Sequence, residues 1–294
     1  MRFFLFIALF SALFPAFVMG QFSYRPVGDK QILEPINLKV IYDFHFVRDT
    51  VKKEIYEDRY TLEIGTNYAK FHSVFADRVD SVMTYPHLFG TENRTRGHSS
   101  GINPRLWMKS NQRENYDAYF WNYPKAGMLH VTDRISYRNY VYSENIPQIA
   151  WKVEDSTQII LGYLNQKATA SFRGREWVVW FTLELPYSFG PWKLFGLPGL
   201  IVKAETADGY FSYTMVGIEK PKTEEYIYTF KSAEIKATRQ DILRLKRRSW
   251  EDPIGLGRDH GIQVMVPEYV QGRRVWHSEP GSFSHPYRPF LELE

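Results

Sequence analysis

The chain has 294 residues, of which 44% are hydrophobic and 17% aromatic, with a formal net charge of +4 and no cysteine. A chain of this length can bury a full core without crosslinks. The absence of cysteine excludes disulfides, thiolate catalysis and thiolate metal sites. Basic residues are interspersed with acids except at Arg244 and at Lys246 to Arg248, so the charge pattern does not predict nucleic-acid binding.

Residues 1–20 have the order of a secretory signal peptide. Arg2 gives a positive start, Phe3 to Phe17 is almost entirely apolar, and Gly20 offers a small residue at the expected cleavage site. A membrane anchor is the less favoured alternative, because this apolar run is short for a spanning helix of about 20 residues. We therefore expect an exported protein, periplasmic or secreted, that is soluble after cleavage and begins near Gln21.

Alternation of apolar and polar residues, the pattern of half-buried strands, dominates the chain from Leu38 onward. Tyr60 to Ile64 and Ala69 to Ser73 form a predicted hairpin around Gly65, whereas residues 77–128 are less regular and predict a long excursion with short elements. Strand patterns recur at residues 129–142, 149–153, 158–162, 167–172, 175–185, 200–206, 210–218 and 226–230. Short strands that follow one another without intervening helices favour an antiparallel sheet curled into a barrel or half-barrel.

One helix is predicted after these strands. Thr238 is a good N-cap, and Asp241 three residues later completes the pattern of a capping box. Ile242 can share an apolar face with Leu245 and the ring of Trp250, while the basic residues between them point outward. We expect the helix to stop before Pro253.

These patterns together predict the organisation of the chain. We expect a signal peptide over residues 1–20, an antiparallel β domain with a C-terminal helix over residues 21–252, and an extended tail rich in proline and glycine over residues 253–294. The predicted fold class is mainly β, with a curved sheet or half-barrel.

An apolar segment from Trp180 to Ile201 is repeatedly interrupted by glycine and proline. Its last six residues form a motif: Gly196, Leu197, Pro198, Gly199, Leu200 and Ile201. Glycine permits a positive φ or a close backbone approach, and proline fixes its own φ. We therefore expect the three aliphatic side chains of the motif to be buried and one of its glycines to adopt a positive φ, which makes the motif a structural element. The alternative is an exposed loop that recognises another protein.

With this motif the chain resembles the GLPGLI family. The resemblance extends to residues 60–65, 70–71, 80–81, 151, 159–163, 167–169, 172–175, 180–182, 186, 190–193 and 289–293. It implies an exported protein of a Gram-negative bacterium, and the family has no established catalytic activity that would extend to this chain. Many members have a cysteine near the segment that here runs from Gly162 to Ala168, so no thiol-dependent role is implied for this chain.

Catalytic and metal-binding motifs are missing from the sequence. It has no G-x-S-x-G elbow, no H-E-x-x-H pair, no phosphate-binding loop and no dinucleotide fingerprint. The eight histidines are scattered, and none pair at ligand spacing on one element. The sequence therefore predicts neither a metal nor a cofactor, and a site assembled from distant histidines is the less favoured alternative.

Candidate ligand-binding residues lie in the predicted strand over residues 175–185, in the turn before it and in the loop after it. They are Trp177, Trp180, Trp192, Arg173 and Arg175. This strand is apolar on both faces, which is typical of a central strand buried on both sides or of a strand with a ligand cavity on one side. The Arg-Gly-Arg turn before it could contact an anion, or it could be an ordinary charged turn that pairs with Glu184.

The leading functional hypothesis is a non-enzymatic protein that binds an apolar small molecule or a cell-envelope partner protein. The aromatic content and the missing catalytic motifs favour it. The alternative is a hydrolase of unfamiliar type that uses carboxylates such as Asp155, Glu176 or Glu184 as acid and base. A structural or assembly role in the cell envelope is a third hypothesis.

Overall fold

The computed structural model describes residues 30–78, 115–136, 138–230, 234–270, 273–282 and 288–293. The predicted signal peptide and much of the predicted excursion over residues 77–128 lie outside the described residues. Within the described ranges, none of the helices has the length and apolar character that a membrane span needs.

The structure contains sixteen strands and two helices with defined bounds in the described residues. The strands are β1 (Lys30–Pro35), β2 (Leu38–Asp49), β3 (Glu54–Ile64), β4 (Ala69–Ser73), β5 (Ala118–Trp121), β6 (Met128–Ile135), β7 (Arg138–Asn145), β8 (Lys152–Ile160), β9 (Tyr163–Phe172), β10 (Arg175–Thr182), β11 (Leu200–Thr206), β12 (Phe211–Glu219), β13 (Tyr226–Phe230), β14 (Ile235–Lys236), β15 (Val266–Val270) and β16 (Arg273–His277). The helices are α1 (Arg239–Glu251) and α2 (Pro253–Asp259), and residues 74–78 are also helical.

Twelve strands form one open sheet in the order β14-β7-β6-β5-β4-β3-β2-β12-β11-β10-β9-β8. Neighbouring strands in it are antiparallel except β14, which pairs with β7 in parallel. Two further pairs, β1 with β13 and β15 with β16, are antiparallel. The predicted antiparallel β fold with a C-terminal helix is therefore confirmed, and the sheet is not closed into a barrel.

The large sheet consists of two meanders joined at one seam. Strands β2 to β7 follow one another in the first meander and β8 to β12 in the second. At the seam between β2 and β12, Phe46 pairs with Phe211 and Phe44 with Tyr213. The rings of Phe44 and Tyr213 stack with centroids 4.3 Å apart, so the aromatic core is continuous across the two halves.

Strong curvature brings the far ends of this sheet together. Strand β7 is second in the sheet order and β10 is tenth, yet Arg173 in the turn before β10 forms an ion pair of 2.8 Å with Glu144 of β7. Lys193, in the loop after β10, donates a hydrogen bond of 2.7 Å to the hydroxyl of Tyr142, also in β7. The sheet is therefore a half-barrel with a deep concave face.

The GLPGLI segment packs into the core as the sequence predicts. Leu197 is 2% exposed, and Leu200 and Ile201 are fully buried. Gly196 adopts a φ of +99°, which confirms the expected positive φ at one of the two glycines. Gly199 has another role, because a Cβ there would lie 2.0 Å from the carbonyl oxygen of Thr182. Its missing side chain permits the close approach of two backbones.

Helix α1 begins with the predicted capping box. The Thr238 hydroxyl accepts a hydrogen bond from the Asp241 amide at 3.1 Å, and the Asp241 carboxylate accepts one from the Thr238 amide at 3.0 Å. Pro253 does more than end this helix, because it occupies the first turn of α2, whose N-terminus is capped by Asp252. The region predicted as an extended tail thus contains α2 and the β15–β16 hairpin.

Candidate functional site

A cavity of about 560 Å³ lies on the concave face of the half-barrel. Strands from both meanders form its wall, and helix α1 and residues 288–293 lie over it. Aromatic rings make up much of the lining: Phe44, Phe46, Tyr60, Tyr119, Tyr142, Trp192, Phe211, Tyr213 and Phe290. The strand alternation that predicts half-buried strands also explains this wall, because residues two apart, such as Phe44 and Phe46, face the same side.

A group of buried polar side chains forms one part of the wall. Asp117 accepts hydrogen bonds of 2.8 Å from the hydroxyls of both Tyr60 and Tyr119. Lys246 of α1 reaches down to Asp117 at 3.3 Å and to Asp133 at 2.6 Å. One ammonium group thus holds two carboxylates, and the two hydroxyls complete the hydrogen bonding of Asp117.

The surroundings shift the pKa values of Asp117 and Asp133 in opposite directions. Burial alone would raise the pKa of Asp117, but the charge of Lys246 and the tyrosine hydroxyls outweigh it and lower that pKa. Burial is the larger effect on Asp133 and raises its pKa. Burial would lower the pKa of Lys246, but the two carboxylates raise it above its ordinary value.

Asp58 lies beside this group on β3 and is buried, and it forms no ion pair with the described residues. Its carboxyl accepts hydrogen bonds from the Asn115 amide at 2.8 Å, from the backbone amide of Arg59 at 2.8 Å and from the Ser73 hydroxyl at 3.1 Å. Burial raises the pKa of Asp58 to about 7, although these donors act against the shift.

The C-terminal segment is anchored at the cavity through Glu292. Its carboxylate lies 2.7 Å from the ammonium of Lys193 and 2.6 Å from the guanidinium of Arg239, with Arg173 at 3.6 Å. Burial would raise the pKa of Glu292, but these cations lower it. Burial lowers the pKa of Lys193, although the neighbouring carboxylates oppose the shift.

The Arg-Gly-Arg turn holds the backbone of the same segment. Arg175 donates hydrogen bonds to the carbonyl oxygens of Phe290 at 2.9 Å and Leu291 at 3.1 Å, and it forms an ion pair with Asp208. The backbone amide of Leu293 donates to the Arg173 carbonyl at 3.2 Å. Arg173 and Arg175 therefore bind carboxylate and carbonyl oxygens of this chain itself.

The predicted aromatic residues lie at different places. Trp192 lines the cavity. Trp177 is 1% exposed and stacks on Trp192 with centroids 5.4 Å apart, so it supports the wall from behind. Trp180 lies on the opposite face of β10 and is half-buried, because residues three apart on a strand face opposite sides.

The carboxylates named from the sequence do not form the site. Asp155, Glu176 and Glu184 are exposed, and none of them lines the cavity. Glu184 accepts a hydrogen bond from the Leu164 amide at 2.8 Å and has no ion pair with the Arg-Gly-Arg turn among the described residues. Sequence reasoning missed the polar group around Asp117, since its members come from four separate elements.

Metal binding has no support in the described part of the chain, where no group of three or more histidine, aspartate or glutamate side chains could hold an ion.

Comparison with known proteins gives distant likenesses. No protein-family model matches the chain, and a search of curated proteins finds no match. A structure of PNGF-II in the C2 space group is similar over 79% of this chain, with 12% identity and a TM-score of 0.47. An uncharacterised conserved protein from Thermus thermophilus is similar over 67% of this chain and 90% of its own, with 6% identity and a TM-score of 0.31. The chain spans about a third of the length of the PNGF-II chain.

Proposed function

We propose that this chain is an exported, non-enzymatic protein that binds an apolar small molecule in the cavity beneath α1 and residues 288–293. The observation that carries the proposal is the cavity of about 560 Å³ with its aromatic wall. Cavities of roughly 300–1,000 Å³ hold small organic ligands in proteins. A partner protein fits less well, because α1 and the C-terminal segment already lie over the concave face.

The pairing of the polar groups supports an apolar ligand. Asp117, Asp133 and Lys246 are bonded to one another or to tyrosine hydroxyls, and Glu292 is bonded to cations of the chain. An apolar ligand therefore does not compete for these contacts, and loss of the partner of a buried polar group costs about 1–3 kcal/mol. Burial of about 300 Å² of ligand surface at about 25 cal/mol per Å² contributes about 7 kcal/mol before the losses of association.

A fluorescence titration with the neutral probe N-phenyl-1-naphthylamine tests the proposal. Leu243 lines the cavity from α1 and is half-buried, so the larger ring of Leu243→Trp should obstruct part of the cavity without unfolding the sheet. We expect saturable binding to the full chain and a loss of at least about tenfold in affinity in this variant. Glu251→Trp adds the same ring at an exposed position of α1 outside the cavity and should change nothing. Equal probe affinity in both variants would contradict binding in this cavity.

A hydrolase is the second candidate, and one observation favours it. Asp117 and Asp133 line the same cavity, and their pKa values shift in opposite directions, as in acid–base pairs of enzymes. The ion pairs of Lys246 with both carboxylates favour a structural role for them instead. Mass spectrometry of native protein separates the two: a binding protein carries the same intact ligand with and without Asp133→Asn, whereas a hydrolase carries intact substrate only in the variant.

Export and family membership are part of the same proposal. We propose that the protein is periplasmic or secreted, because residues 1–20 have the pattern of a signal peptide. We also propose that it belongs to the GLPGLI family, because it contains the motif from Gly196 to Ile201. N-terminal sequencing of protein from the periplasmic fraction should begin near Gln21. Recovery of exported protein with Met1 intact would contradict cleavage.

A further inference from the structure

More cations than acids line the cavity. Among the described residues they comprise five cations, Arg239, Arg244, Lys246, Arg247 and Arg288, and three acids, Asp117, Asp133 and Glu292. All three acids are held by cations inside the protein, since Lys246 holds the two aspartates and Arg239 shares Glu292 with Lys193. Arg244 pairs with Asp241, so among the described residues the charge of Arg247 remains on the α1 side of the cavity.

Arg247 is the clearest part of this remaining charge. It is exposed, and its guanidinium lies over the ring of Phe290 at 5.7 Å from the centroid. Among the described residues Arg247 has no ion pair, whereas the neighbouring Arg244 and Arg248 pair with Asp241 and Asp259. Its charge thus lies at the boundary between the aromatic wall and solvent.

The buried polar group and Arg247 differ in the charge that is left over, because two carboxylates share one ammonium group at the buried group. Asp133 is 6% exposed and lies on the inner wall, where a second anion would meet carboxylate charge. Arg247 lies at the solvent-exposed rim. An anionic group of a ligand is therefore repelled from the depth of the cavity and attracted to its rim. At the rim the guanidinium of Arg247 can bind carboxylate, sulfonate or phosphate oxygens with paired N–H groups.

We propose that the ligand of this cavity is an amphipathic anion, with an apolar body against the aromatic wall and one anionic group at the rim beside Arg247. This inference rests on the proposed function, because it names the chemical class that the same cavity takes. The apolar body supplies affinity, and the anionic group fixes the orientation with its charged end toward solvent.

Two probes that differ by one charge test the inference on the full chain. 8-Anilinonaphthalene-1-sulfonate has the aromatic body of N-phenyl-1-naphthylamine with a sulfonate added. We expect the anionic probe to bind about tenfold more tightly at low salt, a preference that corresponds to one charge-assisted contact. The preference should decrease as salt screens the rim.

Arg247→Gln should remove the preference for the anionic probe, measured as the ratio of the affinities of the two probes for the same variant. Arg248→Gln is the matched control, because this neighbour pairs with Asp259 and does not line the cavity. Equal affinity of the two probes for the wild-type chain, or an undiminished preference in Arg247→Gln, would overturn this inference while the binding function stands. Failure of both probes to bind would overturn the proposed function and this inference with it.

Discussion

Gly196 and Gly199 of the six-residue motif are needed for different physical reasons, and unfolding free energies of alanine variants can measure the difference. A Cβ at position 199 would lie 2.0 Å from the carbonyl oxygen and 2.7 Å from the carbonyl carbon of Thr182. These are backbone atoms of β10 at the position where Thr182 pairs with Leu200 of β11, so no flexible side chain can move aside. At Gly196 the φ is +99° and nothing lies within 4 Å of the added Cβ, so only the backbone conformation opposes a side chain.

The expected costs follow from these distances. Relief of the contact at Gly199 requires two paired strands to separate by more than 1 Å, so Gly199→Ala should destabilise the protein by about 3 kcal/mol or more. Gly196→Ala meets only the strain of a positive φ, which costs about 1–2 kcal/mol. Gly217 has neither a positive φ nor an atom within 4 Å of the added Cβ, and Gly217→Ala should change stability by no more than about 0.5 kcal/mol.

Urea unfolding of the three variants, followed by tryptophan fluorescence, measures the order. The free energies of unfolding should fall in the order Gly217→Ala, Gly196→Ala, Gly199→Ala, with equal m-values if the denatured states are alike. An effect of Gly199→Ala no larger than that of Gly196→Ala would refute the steric argument. A large effect of Gly217→Ala would show that any added methyl group is harmful and that the distances have no predictive value.

Three further changes have expected outcomes. Leu200→Ala should lower the free energy of unfolding by about 2–5 kcal/mol in the same urea assay, because Leu200 is fully buried, and a smaller loss would contradict a core role. Glu292→Gln leaves the buried Lys193 short of a charge partner and should cost about 3 kcal/mol, whereas Glu279→Gln in an exposed pair should cost less than about 1 kcal/mol. Burial raises the pKa of Asp58 to about 7, so the folded protein keeps a proton that the unfolded chain loses above about pH 4. The free energy of unfolding of the wild-type protein should therefore fall by about 4 kcal/mol as the pH rises from about 4 to about 7. Asp58→Asn should remove that part of the slope, and parallel pH profiles in urea would contradict it.

Local patterns account for what could be predicted from the sequence. The alternation of apolar and polar residues in Leu38–Asp49 directly indicates a strand with one buried face. The capping box at Thr238 depends only on two residues three positions apart. The burial of Leu200 and Ile201 follows from an apolar run with two glycines and a proline. Each of these features is a property of a short segment, so one sequence is enough to predict it.

The candidate site could not be predicted in the same way. The sequence predicts a solvated basic face that includes Lys246, yet this lysine holds Asp117 and Asp133, which are more than 100 residues away. The sequence likewise suggests an external ligand or a local pair for Arg173, whose partner Glu292 is near the far end of the sequence. Periodicity contains no signal for such contacts, because the curvature of the whole sheet creates them.

The seam between β2 and β12 has a consequence for how the chain acquires its structure. Pairings within each meander link neighbouring strands, but the pair of Phe44 with Tyr213 closes a loop of more than 160 residues. The entropic cost of closing a loop grows only slowly with its length, whereas folding slows as contacts become less local. We therefore expect each meander to gain structure early from its local pairings, and the docking of the two aromatic faces at Phe44 to come late in folding.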